Sequence, residues 1–297
     1  MLKTHLIIVP CHSIWNPFHH SQAPNGRPNL GQNPEHWFLA PFQLQGDDHL
    51  AFIKHGLYAI ITLLKDKTDS SLLVFSGSQT KKPAGPLSES QSYYLLMRQL
   101  LRFSQGRDTP NFDGIGKILT EINQLLEERG IEMESLFTTR ITTEEYALDS
   151  FDNMIYSIYR FKQITDVWPT DITIVGFGFK RARFEELHAK AIDFPKDRLN
   201  YISIDPSPKG YTVGERTKYF EHLDQLEQQN AVALFAKDWF ATRDPLLSKK
   251  QSRNPFQRFN NYEDVRLFNL KSPIDHDKLF FDIYIRDKMP WSVVDKS

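Results

Sequence analysis

The sequence predicts an α/β fold: a Rossmann-like doubly wound sandwich with a mainly parallel sheet of about five strands, plus an irregular C-terminal extension. Three observations predict it. The apolar run Leu72-Leu73-Val74-Phe75 stops at Ser76-Gly77-Ser78-Gln79-Thr80, and Ser88-Glu89-Ser90 then opens a helical pattern. That is a buried strand, a polar loop at its carboxyl end and a capped helix. The run 171–177, ending among Gly176 and Gly178, is a second strand of the same kind. Between such runs the apolar spacing changes from strand-like to helical, which implies βαβ units with right-handed crossovers.

Taken in order, 5–9 is β-rich and ended by Pro10, so it is the first strand. Residues 13–47 are a long stretch rich in Pro, Asn and His, with Pro17, Pro24, Pro28, Pro34 and Pro41. Trp15, Trp37, Phe38 and Phe42 need burial, so a lid packed over the sheet edge is expected. Asp47/Asp48 caps a helix to about Lys65, with Leu50, Ile53, Leu57, Ile60, Ile61 and Leu64 inward. The strand 71–77 and a helix from Ser88 to about Arg102 follow. Residues 104–113 are a break, and 115–129 is a helix ended by Gly130. A third strand is expected at 136–139, and a long helix from Thr142/Thr143 to about Phe161. After the strand at 171–177 come a helix from about Arg181 to Ile192, a strand at 200–204 stopped by Asp205-Pro206, and one or two helices over 215–243. Residues 245–262 are polar, and 279–285 reads as an edge strand or packed tail. The expected organisation is one Rossmann-like domain over 1–243, with 13–47 as its lid-like loop. Residues 244–297 form an extension packed on it or trailing from it.

Composition excludes several function classes. Net charge is -1 with 25% charged residues, so no global pull toward nucleic acid or an anionic membrane is expected. The lone Cys11 forms no internal disulfide and fits a reducing compartment. The apolar run at 6–9 is too short for a signal-peptide core, and no stretch approaches the ~20 apolar residues of a membrane span. A soluble cytoplasmic protein is the expectation, with its oligomeric state open.

Four constellations could carry chemistry. In the loop 76–80, Gly77 permits a tight turn or close approach, while Ser76, Ser78, Gln79 and Thr80 offer neutral donors and acceptors. It is neither a phosphate-binding P-loop nor a dinucleotide fingerprint, and Ser76 lacks a nucleophile elbow. Ordinary turn chemistry would also account for it. Ser88 is a candidate N-cap with Gln91 completing a capping box, and Glu89 either serves the helix dipole or faces a cleft as a base. Glu145, Asp149 and Asn153 are spaced i, i+4, i+8 on the expected helix; a cation or metal would relieve their repulsion, and a solvated face is the plainer reading. Lys180, Arg181 and Arg183 crowd a helix amino end, where cations are unfavourable, so an anionic ligand or pairing with those carboxylates is called for. His12, after the first strand, is a reserve acid/base. His19-His20 lacks metal-ligand partners.

Together, the F-S-G loop with its downstream S-E-S helix start, the D-S-F-D-N run and I-T-I-V-G-F-G-F-K-R-A-R-F resemble the domain of unknown function 218 family. Its bacterial members are the SanA, YdcF and ElyC proteins. The P-C-H, W-F-L-A-P-F-Q and F-K-R-x-R-F segments resemble the fungal branch most. The resemblance covers about residues 4–206 and implies a Rossmann-like fold with a polar pocket at the strand ends. The positions it carries over are Ser76, Gly77, Glu89, Glu145, Asp149, Asn153, Lys180 and Arg181. The bacterial members commonly carry membrane anchors, and none is expected in this chain.

The expected function is that of an enzyme, a hydrolase or transferase, acting on a phosphate-bearing or nucleotide-like small molecule. Ser76, Gly77, Gln79, Thr80, Asn153, Lys180 and Arg181 would bind the anionic ligand. Glu89, Glu145, Asp149 or His12 would serve as acid or base, or the carboxylates would hold a divalent cation. A non-catalytic nucleotide or S-adenosylmethionine binding protein, and a degenerate scaffold, are the alternatives.

Overall fold

The computed structural model describes residues 2–19, 28–106, 109–262 and 276–292. Strands β1 (His5–Pro10), β2 (Ser71–Ser76), β3 (Ile141–Glu144), β4 (Asp171–Gly176) and β5 (Leu199–Ser203) form one sheet in the order β3-β2-β1-β4-β5. Every pairing is parallel, with Ile7 opposite Leu73 and Leu6 opposite both Leu72 and Ile172. This is a Rossmann-like doubly wound α/β fold.

The central strands are covered on both faces, which is why HLIIVP and SLLVFS are nearly continuous apolar runs. Ile7, Val9, Leu73 and Phe75 point to one core. That face is covered by α1 (Asp48–Lys65), α2 (Glu89–Ser104), α3 (Ile115–Arg129) and α4 (Met133–Thr139). Leu6, Ile8, Leu72 and Val74 point to the other, against Phe151, Ile155 and Ile158 of α5 (Ser150–Thr165). A π-helical turn, Arg183–His188, and the short α6 (Ala189–Ala191) complete that layer. The chain lays β1, β2 and β3 outward in one direction, and α5 then carries it back so that β4 pairs with the free side of β1. The winding therefore reverses between β1 and β4, the position where α/β sheets open a ligand crevice.

Helices α7 (Val213–Glu227), α8 (Ala233–Phe235), α9 (Leu246–Ser252) and α10 (Asp277–Tyr284) follow β5. The C-terminal residues Leu246, Tyr262, Phe280, Phe281, Ile285 and Trp291 belong to the second core, and Trp291 donates to the Ile192 carbonyl at 2.7 Å. No helix among the described residues is long and apolar enough to cross a membrane.

Several elements differ from expectation. The third strand is Ile141–Glu144, not 136–139, because Met133, Leu136 and Phe137 recur at helical spacing and bury one face of α4. A short apolar run does not distinguish the two states. The long helix begins at Ser150, with Asp149 as its N-cap, rather than at Thr142/Thr143. Residues 279–285 lie largely within the helix Asp277–Tyr284, not an edge strand. The helix expected from about Arg181 is present over 181–191, but a 3-10 turn, Gly178–Lys180, precedes it and its middle, Arg183–His188, is π-helical. The expected stretch 215–243 is helical only to Phe235. The 13–47 stretch packs against α1 and α2 at the centre, where Trp37 meets Phe52 and Tyr93, rather than over a sheet edge. Phe42 is not buried but 67% exposed. Its residues His20 and Pro24 lie outside the described residues.

Candidate functional site at the β1/β4 switch point

A cavity of about 540 Å³ opens at the carboxyl ends of β1 and β4. Pro10 ends β1, and the Cys11 amide donates to the Ser76 carbonyl at 2.8 Å, which aims the next residue, His12, into the opening. The His12 ring stacks on Phe177 at 5.0 Å and stands edge-on to His55. From the β4 side comes Lys180, whose ammonium lies 3.4 Å from His12 Nδ1 and over the rings of Phe177 and Phe179. No carboxylate pairs with Lys180 among the described residues. Burial, reinforced by the nearby Arg183, pulls its pKa down to about 7. Burial likewise drives His12 well below its ordinary range, with Lys180 adding to the effect. Asp48, at the start of α1, lines the same space. Burial raises its carboxyl to about 7, against the opposing influence of Lys180 and the Tyr219 hydroxyl.

The β2 side supplies Glu89. Ser88 caps α2 by accepting from the Gln91 amide at 3.0 Å, and the Gln91 side chain returns to the Ser88 amide, so the capping box is present. This anchors the helix start while the Glu89 side chain lines the cavity. There Glu89 Oε1 accepts from the Thr80 hydroxyl at 2.5 Å. Burial raises the Glu89 pKa, and the Thr80 bond only partly offsets it. Gly77 is needed for close approach: a Cβ there would stand 2.8 Å from Glu89 Oε2 and 3.1 Å from Cys11 Cβ.

Ser76 and Gly77 lie beneath the cavity rather than in its wall. Ser76 is fully buried and donates to Glu144 Oε2 at 2.7 Å, while Asn153 Nδ2 donates to both the Ser76 carbonyl and its hydroxyl at 3.0 Å. The pair positions Asn153, which does line the cavity. Gln79 turns away and donates to the Pro86 carbonyl. Glu144, not singled out by the sequence, also accepts from the amides of Tyr146 and Ala147 and from the Tyr262 hydroxyl. Its burial raises its pKa to about 7.

Glu145, Asp149 and Asn153 do not share a helix face, because the helix starts only after Asp149. Asp149 accepts from the Asp152 amide at 2.8 Å as N-cap and lines the cavity, but Lys250 sits between Asp149 (3.3 Å) and Asp152 (2.7 Å). Glu145 is outside the cavity, held by Gln91, Thr143 and Arg258. Asp149 and Glu145 are thus already matched by cations, Lys250 and Arg258. Among the described residues no three His, Cys, Asp or Glu side chains are grouped to hold a metal ion.

Arg181 is also outside: it donates to the Tyr201 carbonyl at 2.6 Å and is half-exposed. Arg183 takes the inward place, paired with Glu227 at 2.9 Å. The signal was in the spacing, since Lys180 and Arg183 are i, i+3 and share a helical face whereas Arg181 does not. Lys249 and Arg253, at i, i+4 in the C-terminal segment, also line the cavity, as does Lys81. Among the described residues they donate to no carboxylate: Lys249 reaches the Asn230 carbonyl and Arg253 the Leu148 carbonyl. The lining therefore holds five cations, Lys81, Lys180, Arg183, Lys249 and Arg253, against four carboxyl groups: Glu227 and Asp149 are paired with Arg183 and Lys250, and burial opposes the ionisation of Asp48 and Glu89.

Neither family models nor solved structures match this chain. The Saccharomyces cerevisiae protein named "Uncharacterized protein YOR238W" is 49% identical over 300 residues, covering 98% of each chain. Identity of that extent spans the sheet, the switch point and the C-terminal segment alike. The chain belongs to the family of this yeast protein.

Proposed function

We propose that this protein is an enzyme acting on a phosphate-bearing small molecule bound at the β1/β4 switch point. The observation that carries the reading is Lys180: a largely buried ammonium at the crevice, without a carboxylate partner among the described residues, facing an open cavity. Leaving a cation uncompensated in such a place is unfavourable for the empty protein and favourable once an anion arrives. Arg253, Lys249 and Lys81 extend the positive lining, and the amino ends of α2 and α5 point to the same space. Glu89, buried and raised in pKa, is the general base, and His12 is the second proton carrier beside Lys180. Domain of unknown function 218 membership and a cytoplasmic setting agree with this reading and belong to the same proposal.

A panel of phosphate monoesters and nucleotides, assayed for both thermal shift and turnover, tests it. Stabilisation by at least one ester, loss of that stabilisation in Lys180→Met, and turnover lost in Glu89→Gln with affinity kept are the expected results. Stabilisation without turnover on any ester would make the protein a ligand-binding sensor. No response to any phosphate compound would end the anion reading.

A further inference from the structure

We propose that the cavity takes a phosphate ester bearing an apolar group, an alkyl or aryl phosphate rather than a nucleotide; this rests on the anion-binding reading above. Helix α7 carries the argument. Its residues Tyr219, Leu223 and Leu226 are spaced i, i+4, i+7 and so form one stripe of the helix. An apolar stripe on a surface helix ordinarily packs on a core. Here only Glu227 of α7 is buried, and none of the three stripe residues joins either hydrophobic core. Leu223 and Leu226 line the cavity instead, with Leu226 36% exposed, while the Tyr219 hydroxyl reaches Asp48 at 3.5 Å.

The same cavity is lined by Phe184, Ala231, Phe235 and Leu246, each at most 6% exposed. Helix α7 thus sets Leu223 and Leu226 along an apolar floor with space left between them. That surface stays wet until something apolar fills it. Charge is interleaved with it on the same segments: Arg183 precedes Phe184, and Lys249 follows Leu246 by one turn. An ester with an anionic head and a hydrocarbon body matches both. A nucleobase needs partners for its polar edge, and segment 223–235 brings to the cavity one uncharged polar side chain, Asn230.

Titration calorimetry with n-alkyl phosphates from methyl to hexyl, phenyl phosphate and adenosine monophosphate tests the proposal. Affinity is expected to rise about two- to fourfold per methylene until the space is filled, with hexyl and phenyl phosphate tighter than the nucleotide. Leu226→Ser and Leu223→Ser, both at partly exposed positions, are expected to flatten that series. Equal affinity for methyl and hexyl phosphate overturns the proposal and leaves the anion reading standing. So does a nucleotide tighter than every alkyl ester, or an unchanged slope in both serine variants. If neither inorganic phosphate nor methyl phosphate binds, the anion reading itself fails and this inference goes with it.

Discussion

The ammonium of Lys180 stands 3.4 Å from Nδ1 of His12, and both side chains lie against the ring of Phe177. Two groups that each carry positive charge when protonated share a largely buried corner, where burial lowers both pKa values and Lys180 lowers that of His12 further. The corner sits where β1 and β4 diverge, so it faces the crevice and not the core. An entering anion would favour the protonated form of Lys180 and, through it, leave His12 as the acceptor.

Lys180→Met is expected to abolish binding of phosphate esters while stabilising the fold. The sign follows from the pKa, about 7 in the native protein against 10.5 for an ordinary lysine. Between those values the unfolded chain holds a proton that the native chain has lost. The destabilisation due to this group is therefore full below pH 7 and fades as pH rises toward 10.5. The variant's melting temperature should exceed the wild type's at pH 6, by roughly 2–4 °C for each kcal/mol relieved, and converge with it near pH 10. In the wild type, ester affinity should fall as pH rises through 7. Retained affinity in the variant, or a lower melting temperature at pH 6, contradicts this account.

Glu89→Gln is expected to reduce turnover by about 10²–10⁴-fold, the range ordinary for a lost general base, with ester affinity changed little. Because burial raises the Glu89 pKa, the wild-type rate should climb with pH through a value above the usual carboxylate range. A rate flat across that range, or full activity in the amide variant, removes Glu89 from the chemistry.

Much of this was legible in the sequence, for identifiable reasons. The runs Leu72–Phe75 and 171–177 are apolar on both faces, which only a central parallel strand requires, so β2 and β4 and the loops after them were readable. The Ser88/Gln91 capping box is a local pattern and was equally readable. The start of α5 was not, because T-T-E-E-Y-A-L-D offers several capping residues and only tertiary packing selects Asp149. That error of one turn and more put Glu145 in the site and hid Glu144. Lys249 and Arg253 enter the cavity from a segment about 70 residues beyond β4, a contact no local pattern encodes. Arg183 was within reach, since its i, i+3 relation to Lys180 distinguishes it from Arg181.

Lys250→Met should destabilise the protein strongly and with a definite pH dependence. Lys250 separates Asp149 and Asp152, two adjacent carboxylates with little exposure. Removing it leaves both uncompensated, a change that costs about 3–5 kcal/mol when a buried pair is broken. Asp152 already has a pKa of about 6, raised by burial and then by Asp149. Without Lys250 the Asp152 carboxyl would hold its proton to still higher pH. A carboxyl whose native pKa is raised loses stability as pH climbs from its unfolded value through its native one. The penalty should thus be largest at pH 8 and smaller at pH 5, as read by urea denaturation at the two values. An equal loss at both, or a loss below 1 kcal/mol, would mean that the cluster is not an electrostatic clamp.

Gly77→Ala tests whether the loop after β2 serves the position of Glu89. The added methyl would meet Glu89 Oε2 at 2.8 Å, Glu89 Cβ at 3.0 Å and Cys11 Cβ at 3.1 Å. The Cys11 and Gly77 backbones are pinned by the amide bonds to the Ser76 and Glu144 carbonyls, so the glutamate side chain is the part that can move. The expected cost is about 1–3 kcal/mol of stability, typical of overpacking, together with loss of the Thr80 bond that orients the carboxylate. A double-mutant cycle with Glu89→Ala separates this from a general backbone effect. If the carboxylate is what the methyl displaces, the glutamate's removal relieves part of the cost, and the two changes couple by more than about 0.5 kcal/mol. Strict additivity would place the strain in the backbone and detach the loop from Glu89.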